Sequence, residues 1–158
     1  MRLFDTHAHY DSGAFNADRM EVLSSMPDRG VELILNPGCE LESSQTAVEL
    51  AERFPFVYAA VGVHPSDCGD WEDGWLDELR SLAARPKVKA IGEIGLDYYW
   101  KENPPREHQQ QVFHKQLELA EELLSNQGRL EAMSEAMKSL ALPDATDRIC
   151  GIILDMVK

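Results

Sequence analysis

Strand and helix segments that alternate about four times predict an α/β fold built on a parallel sheet, with further helices at the C-terminus. Three observations carry this. Short apolar runs alternate with segments of helical periodicity as far as Leu124. Two of those runs, Phe56 to Val63 and Ala90 to Ile94, are small and apolar nearly throughout, as in strands buried on both faces. Turn-forming clusters such as Pro27-Asp-Arg-Gly30 and Asn36-Pro-Gly38 separate the elements.

The first strand spans Arg2 to His9 and ends at the turn-prone Asp11-Ser-Gly13. Asn16 is placed to cap a helix through about Ser25, with Met20 and Leu23 as its apolar positions. Val31 to Leu35 is the second strand, closed by Asn36-Pro-Gly38. Ser43 or Ser44 begins a second helix that runs to Arg53, and Pro55 stops it. Phe56 to Val63 is the third strand. An acidic loop follows, and Trp75 to Ala84 is the third helix, closed by Pro86. Lys87 to Asp97 is the fourth strand. A fourth helix runs from Arg106 to Leu124, with Phe113, Gln116, Leu117 and Ala120 on one stripe.

Past Leu124 the alternation stops. Ser125-Asn-Gln-Gly128 reads as a helix terminator. Two amphipathic segments follow, one through Leu130, Met133, Met137 and Leu140, the other through Ile149, Ile153 and Met156; Ile152 to Leu154 also fits a short strand. The expected organisation is a domain over residues 1–124 and a helical tail over 125–158.

A chain of 158 residues is long enough for one domain with its own core. Cys39, Cys68 and Cys150 are widely spaced and form no CxxC pair, which speaks against a zinc knuckle or a disulfide framework. They fit reduced thiols, and a cytoplasmic location with no membrane segment is expected. The net charge of −13 argues against a general electrostatic affinity for nucleic acid. Local phosphate binding through metal ions stays open, because an ion inverts the local charge.

The residues that carry chemistry lie at two strand ends. Asp5, His7 and His9 alternate, so they share one strand face. Glu93 sits inside an apolar run between Gly92 and Gly95, where a carboxylate is costly unless a cation or donors meet it. Two imidazoles and a carboxylate together with such a Glu have the make-up of a divalent metal site. Imidazole suits zinc and manganese, carboxylate suits magnesium and manganese, so the ion is left as Mg, Mn or Zn. Other candidates have plainer readings. Asp97 braces a strand end. His108 and His114, six residues apart on a helix, do not share a face and are read as surface residues. Trp71, Trp75 and Trp100 are read as core covers. Glu118, Glu121 and Glu122 form a solvated helix face.

The motifs Phe4-Asp-Thr-His-Ala-His9, Gly62-Val-His-Pro65 and Ala90-Ile-Gly-Glu-Ile-Gly-Leu-Asp-Tyr-Tyr99, with Arg106, Gln110, Phe113, Gln116 and Leu119-Ala120, resemble the TatD family of metal-dependent deoxyribonucleases. That family lies in the amidohydrolase-like TIM-barrel superfamily, and the likeness covers roughly residues 1–124. It implies a partial (β/α) TIM-type barrel of about four βα units. His7 and His9 match the family's first metal pair. Glu93 matches the carboxylate that bridges two metals, and His64 matches a histidine near the substrate phosphate. The family's later metal-binding histidines and final Asp have no counterpart after Asp97. The tail Arg129 to Lys158 more faintly resembles the C-terminal helices of bacterial UDP-N-acetylglucosamine transferases.

The function these features imply is metal-dependent phosphodiester hydrolysis, of DNA or another phosphoester, in a partial form that is weakly active or inactive. Two alternatives stand beside it. One is a non-catalytic metal-binding or interaction remnant that self-associates through open sheet edges. The other is an amidohydrolase-type reaction on a small ester or amide.

Overall fold

The computed structural model describes residues 2–125 and, beyond them, Gly128, Glu131, Cys150 and Leu154. Two compact units divide the chain, Met1–Glu122 and Leu123–Lys158. The first contains four strands, β1 (Leu3–Asp5), β2 (Val31–Pro37), β3 (Val57–Val61) and β4 (Val88–Ile91), and the helices α1 (Arg19–Ser25), α2 (Leu41–Arg53) and α3 (Gly74–Ala83). The helix α4 (Arg106–Ser125) follows β4. The strands lie in sequential order β1-β2-β3-β4 and every pair is parallel, with Ile34 opposite Val57 and Val61 opposite Ile91. This is the expected sheet of a partial barrel: each strand returns to the same direction through a helical connection. Among the described residues no helix is long and apolar enough to cross a membrane.

The core forms where the central strands meet the helices. Ile34, Val57, Ala59, Val61, Leu79 and Leu119 are almost wholly buried. Helix α2 packs small residues inward, with Ser44, Ala47, Val48 and Ala51 recurring at helical spacing. Their size lets α2 sit close to the sheet. The Ser44 hydroxyl donates to the Gly62 carbonyl at 3.1 Å and accepts from the Gly62 N–H at 3.2 Å, fastening α2 to the end of β3.

Several expected boundaries move, each for a local reason. The first strand stops at Asp5 rather than His9, because the Asp5 carboxylate accepts the His7 N–H at 3.2 Å and turns the chain. Asn16 caps no α-helix; a 3₁₀ turn over Gly13–Phe15 precedes α1, and the Asn16 amide oxygen accepts from Arg19 instead. Asn36 and Pro37 belong to β2 rather than to a closing turn. Helix α2 begins at Leu41, since the Ser43 hydroxyl accepts the N–H groups of Cys39 and Glu40, both at 2.9 Å. The third strand is shorter than Phe56 to Val63, and the fourth ends at Ile91 rather than Asp97. Helix α4 runs to Ser125 and Gly128 is helical; the terminator expected over Ser125–Gly128 otherwise lies outside the described residues. The segments assigned to Leu130–Leu140 and Ile149–Met156 lie, apart from Glu131, Cys150 and Leu154, outside the described residues.

The buried stripe of α4 is also displaced from the expected one. It comprises Gln109, Val112, Gln116 and Leu119, while Leu117 is exposed. Two of its members are glutamines that bind backbone. The Gln116 side chain accepts the Val63 N–H at 2.7 Å and donates to the Val63 carbonyl at 3.0 Å. Gln109 treats Asp97 in the same two-point way, with both bonds at 2.9 Å. Each therefore does for an irregular strand end what a neighbouring strand would do. Gln116→Leu keeps the volume and strands both Val63 groups, so it is expected to cost about 2–3 kcal/mol in urea unfolding. Exposed Gln110→Leu is the control, expected to stay within about 0.5 kcal/mol.

Candidate metal centre

The site forms where the chain leaves the sheet beyond β1 and β4. After Asp5 the segment carrying the histidines is pinned along β2. The Ala8 N–H donates to the Leu35 carbonyl at 3.2 Å, and the Tyr10 N–H donates to the buried Asn36 side chain at 2.7 Å. Glu93 is pinned by the same logic. The Gly92 N–H donates to the Val61 carbonyl at 2.9 Å and the Glu93 N–H to the Gly38 carbonyl at 2.8 Å. Gly62 backs this segment so closely that a Cβ there would lie 2.9 Å from the Gly92 carbonyl carbon. Glu93 is thus not a carboxylate sunk in a strand, as its apolar run implied. It follows the end of β4 with its side chain 28% exposed, so it meets solvent and the histidines together.

His7, His9 and Glu93 converge. The two Nε2 atoms are 3.1 Å apart, His7 Nε2 is 3.3 Å from Glu93 Oε1, and His9 Nε2 is 3.4 Å from Glu93 Oε2. Ligand atoms about 2.0–2.1 Å from one tetrahedral ion stand about 3.3 Å apart, so this donor set fits a divalent ion. Ring nitrogens facing each other at 3.1 Å also require a proton or a cation between them. Among the described residues this is the one group of three such donors close enough to share an ion. Asp5 stays outside it, its carboxylate turned to the His7 backbone.

A supporting layer stands behind the three. Asp11 Oδ1 accepts from the Asn36 amide at 2.6 Å, which holds the carboxylate 3.7 Å from His9 Nδ1, at ion-pair distance. The Cys39 thiol donates to Glu93 Oε2 at 3.0 Å. Burial, and then the Glu93 carboxylate it contacts, push the thiol's pKa up, which keeps it a protonated donor. The His64 N–H donates to the Cys39 carbonyl at 2.7 Å, and His64 Nδ1 accepts the Ser66 N–H at 3.2 Å. A neutral ring that accepts at Nδ1 carries its proton on Nε2, and the His64 side chain is partly exposed.

Asp97 braces the loop after β4, its carboxylate accepting the Tyr99 N–H at 2.8 Å. Two expectations fail. His108 is partly buried and bonds the Cys68 carbonyl at 2.7 Å, because α4 packs over the Cys68–Asp70 turn. Trp100 is 56% exposed and covers no core. Asn36, Asp11 and Cys39 escape sequence reasoning as parts of the site. Asn36 and Asp11 look like turn residues, and Cys39 looks like an isolated thiol. The available signal was polarity at strand ends that face the histidines.

Parallel strands joined by helices, with imidazoles and a carboxylate gathered where the chain leaves them, define a partial (β/α) barrel whose candidate site lies at the C-terminal ends of its strands. The chain belongs to the family described as TatD related DNase, whose sequence model matches residues 4–126. It is 40% identical over 121 residues to an uncharacterised metal-dependent hydrolase, YabD of Bacillus subtilis, covering 77% of this chain and 47% of that protein. It is 37% identical over 121 residues to the 3'-5' ssDNA/RNA exonuclease TatD of Salmonella typhimurium, covering 77% and 46%. The crystal structure of the TatD homologue YjjV from Escherichia coli superposes with a TM-score of 0.67 at 37% identity, over 75% of this chain and 46% of that one. The chain therefore spans about half the length of the relatives it matches.

Proposed function

We propose that this chain is a metal-dependent hydrolase domain that acts on the phosphodiester backbone of nucleic acid and by itself turns over slowly. His7, His9 and Glu93 hold one divalent ion, zinc, manganese or magnesium, and His64 meets the substrate phosphate through its Nε2–H. The observation that carries this reading is the convergence of the three donors at ion-sharing distances. When bound, such an ion supplies Lewis acidity toward a phosphoryl oxygen and acidifies a water. The protein's own part is to orient the ligands. Asp11 and Asn36 hold His9, and the backbone bonds to Gly38 and Val61 fix Glu93. The substrate follows from the relative named as a single-stranded DNA and RNA exonuclease.

Turnover is expected to be slow because the described residues offer one three-donor group. A two-ion mechanism needs ligands for a second ion about 3.5–4 Å away. The net charge of −13 also repels the substrate when no ion is bound. The test is incubation with single- and double-stranded DNA in manganese or magnesium, with chelator and His9→Ala controls. Slow cleavage that both controls abolish is expected. Cleavage that persists in chelator would overturn the reading. So would robust hydrolysis of small amides or carboxylic esters with phosphodiesters untouched.

A further inference from the structure

We propose that Tyr98, Tyr99 and Trp100, with Arg106, form a base-stacking platform that receives a single-stranded nucleic acid beside the metal centre. The proposal rests on the nucleic-acid reading above and adds the residues that would recognise the strand. These three aromatic residues are consecutive and exposed by 40%, 80% and 56%. Large rings left in water in one place mark an interaction surface more often than chance exposure.

The loop that carries the rings is also anchored. Asp97, immediately before them, is gripped at its N–H and its carbonyl by Gln109, while Asn103 adds a second bond to the carbonyl at 3.2 Å. The Tyr98 hydroxyl accepts from Gln110 at 3.0 Å, and the Arg106 guanidinium lies 4.5 Å from the Tyr98 ring centroid. Tyr99 and Trp100 meet edge to face, with centroids 4.8 Å apart at 90°. A pinned loop with preset ring geometry costs little entropy when a base stacks on it.

Position and charge both favour a single strand. Tyr98 follows Glu93 by five residues, so at most about 18 Å of chain separates the platform from the candidate ligands. Residues Glu102 to Pro105 of the same loop line a cleft with Ser66 and Asp67, which adjoin His64. An acidic chain cannot bind nucleic acid by phosphate contacts alone, so stacking has to carry the affinity. Bases in a duplex are already stacked on one another and cannot use such a surface. The Arg106 guanidinium supplies local positive charge beside the Tyr98 ring, while Glu40, Asp67, Asp70 and Glu102 make the adjoining cleft acidic.

The test is anisotropy of a fluorescein-labelled thymidine 12-mer in chelator, where neither the ion nor turnover takes part. Tyr99→Ala and Trp100→Ala are each expected to weaken binding about tenfold, and Tyr99→Phe and Trp100→Phe to stay within about threefold of the parent. An abasic 12-mer with the same phosphates should bind at least about tenfold more weakly, and neither alanine variant should weaken it further. Equal affinity of the parent for thymidine and abasic strands would overturn the platform, as would unchanged affinity in both alanine variants. If the alanine variants instead lower the mass seen by light scattering at constant oligonucleotide affinity, the patch joins copies of this chain and the proposal fails. Absence of cleavage in metal alongside this binding pattern would remove the hydrolase reading and leave the platform standing.

Discussion

Gly38→Ala is expected to cost more than about 4 kcal/mol, enough to unfold much of the population at room temperature. A Cβ on Gly38 would lie 2.2 Å from Ser44 Oγ, 2.5 Å from Ser44 Cα and 2.7 Å from Ser44 N. Two of these atoms are backbone of α2, and α2 cannot withdraw, because Ser44 is tied to Gly62 on β3. Gly38 also bonds the Ala60 carbonyl through its N–H at 3.0 Å and receives the Glu93 N–H at 2.8 Å. The strain therefore falls on the core and on the candidate metal centre together. Urea unfolding followed by far-ultraviolet circular dichroism measures the loss. Gly13→Ala is the control, since its added Cβ would meet only Asn16 Nδ2 at an ordinary 3.7 Å.

The double substitution His7→Ala, His9→Ala is expected to weaken binding of zinc or manganese by more than about a hundredfold. Disturbing partners behind a ligand already costs about 10–100-fold, and here two of the three donors themselves are removed. Both side chains are partly exposed, 54% and 35%, so the fold should survive with little change in unfolding midpoint. Competition against a chromophoric chelator reads the affinity. Asp11→Asn should fall between the double variant and the parent, within the 10–100-fold range, because it removes only the charge near His9 Nδ1.

The sheet was legible because parallel strands buried on both faces leave unbroken apolar runs, and Val57 to Val61 is such a run. Strand ends were not, because short-range polar bonds decide them. The Asp5 side chain ends β1 at its own residue, and Gln109 captures Asp97 in a conformation that no strand partner shares. The histidine pair and Glu93 stood out as residue types whose cost in apolar runs demands a purpose. Their coming together across four strands depends on register that local patterns do not encode. Gln116 was placed on the buried stripe, but Gln109 was hidden for a similar reason. On a helix a glutamine reads as solvent-facing, and only the loop it clamps explains its burial. Trp100 was misread in the opposite sense, since it has the composition of a core residue and the surroundings of a surface one.

Anomalous diffraction from crystals grown with saturating zinc or manganese tests most directly whether His7, His9 and Glu93 form a metal centre. A single strong peak about 2.0–2.3 Å from both Nε2 atoms and from a Glu93 oxygen is the expected result. An empty position there, with the ion bound instead among other carboxylates such as Asp67 and Glu102, would contradict it.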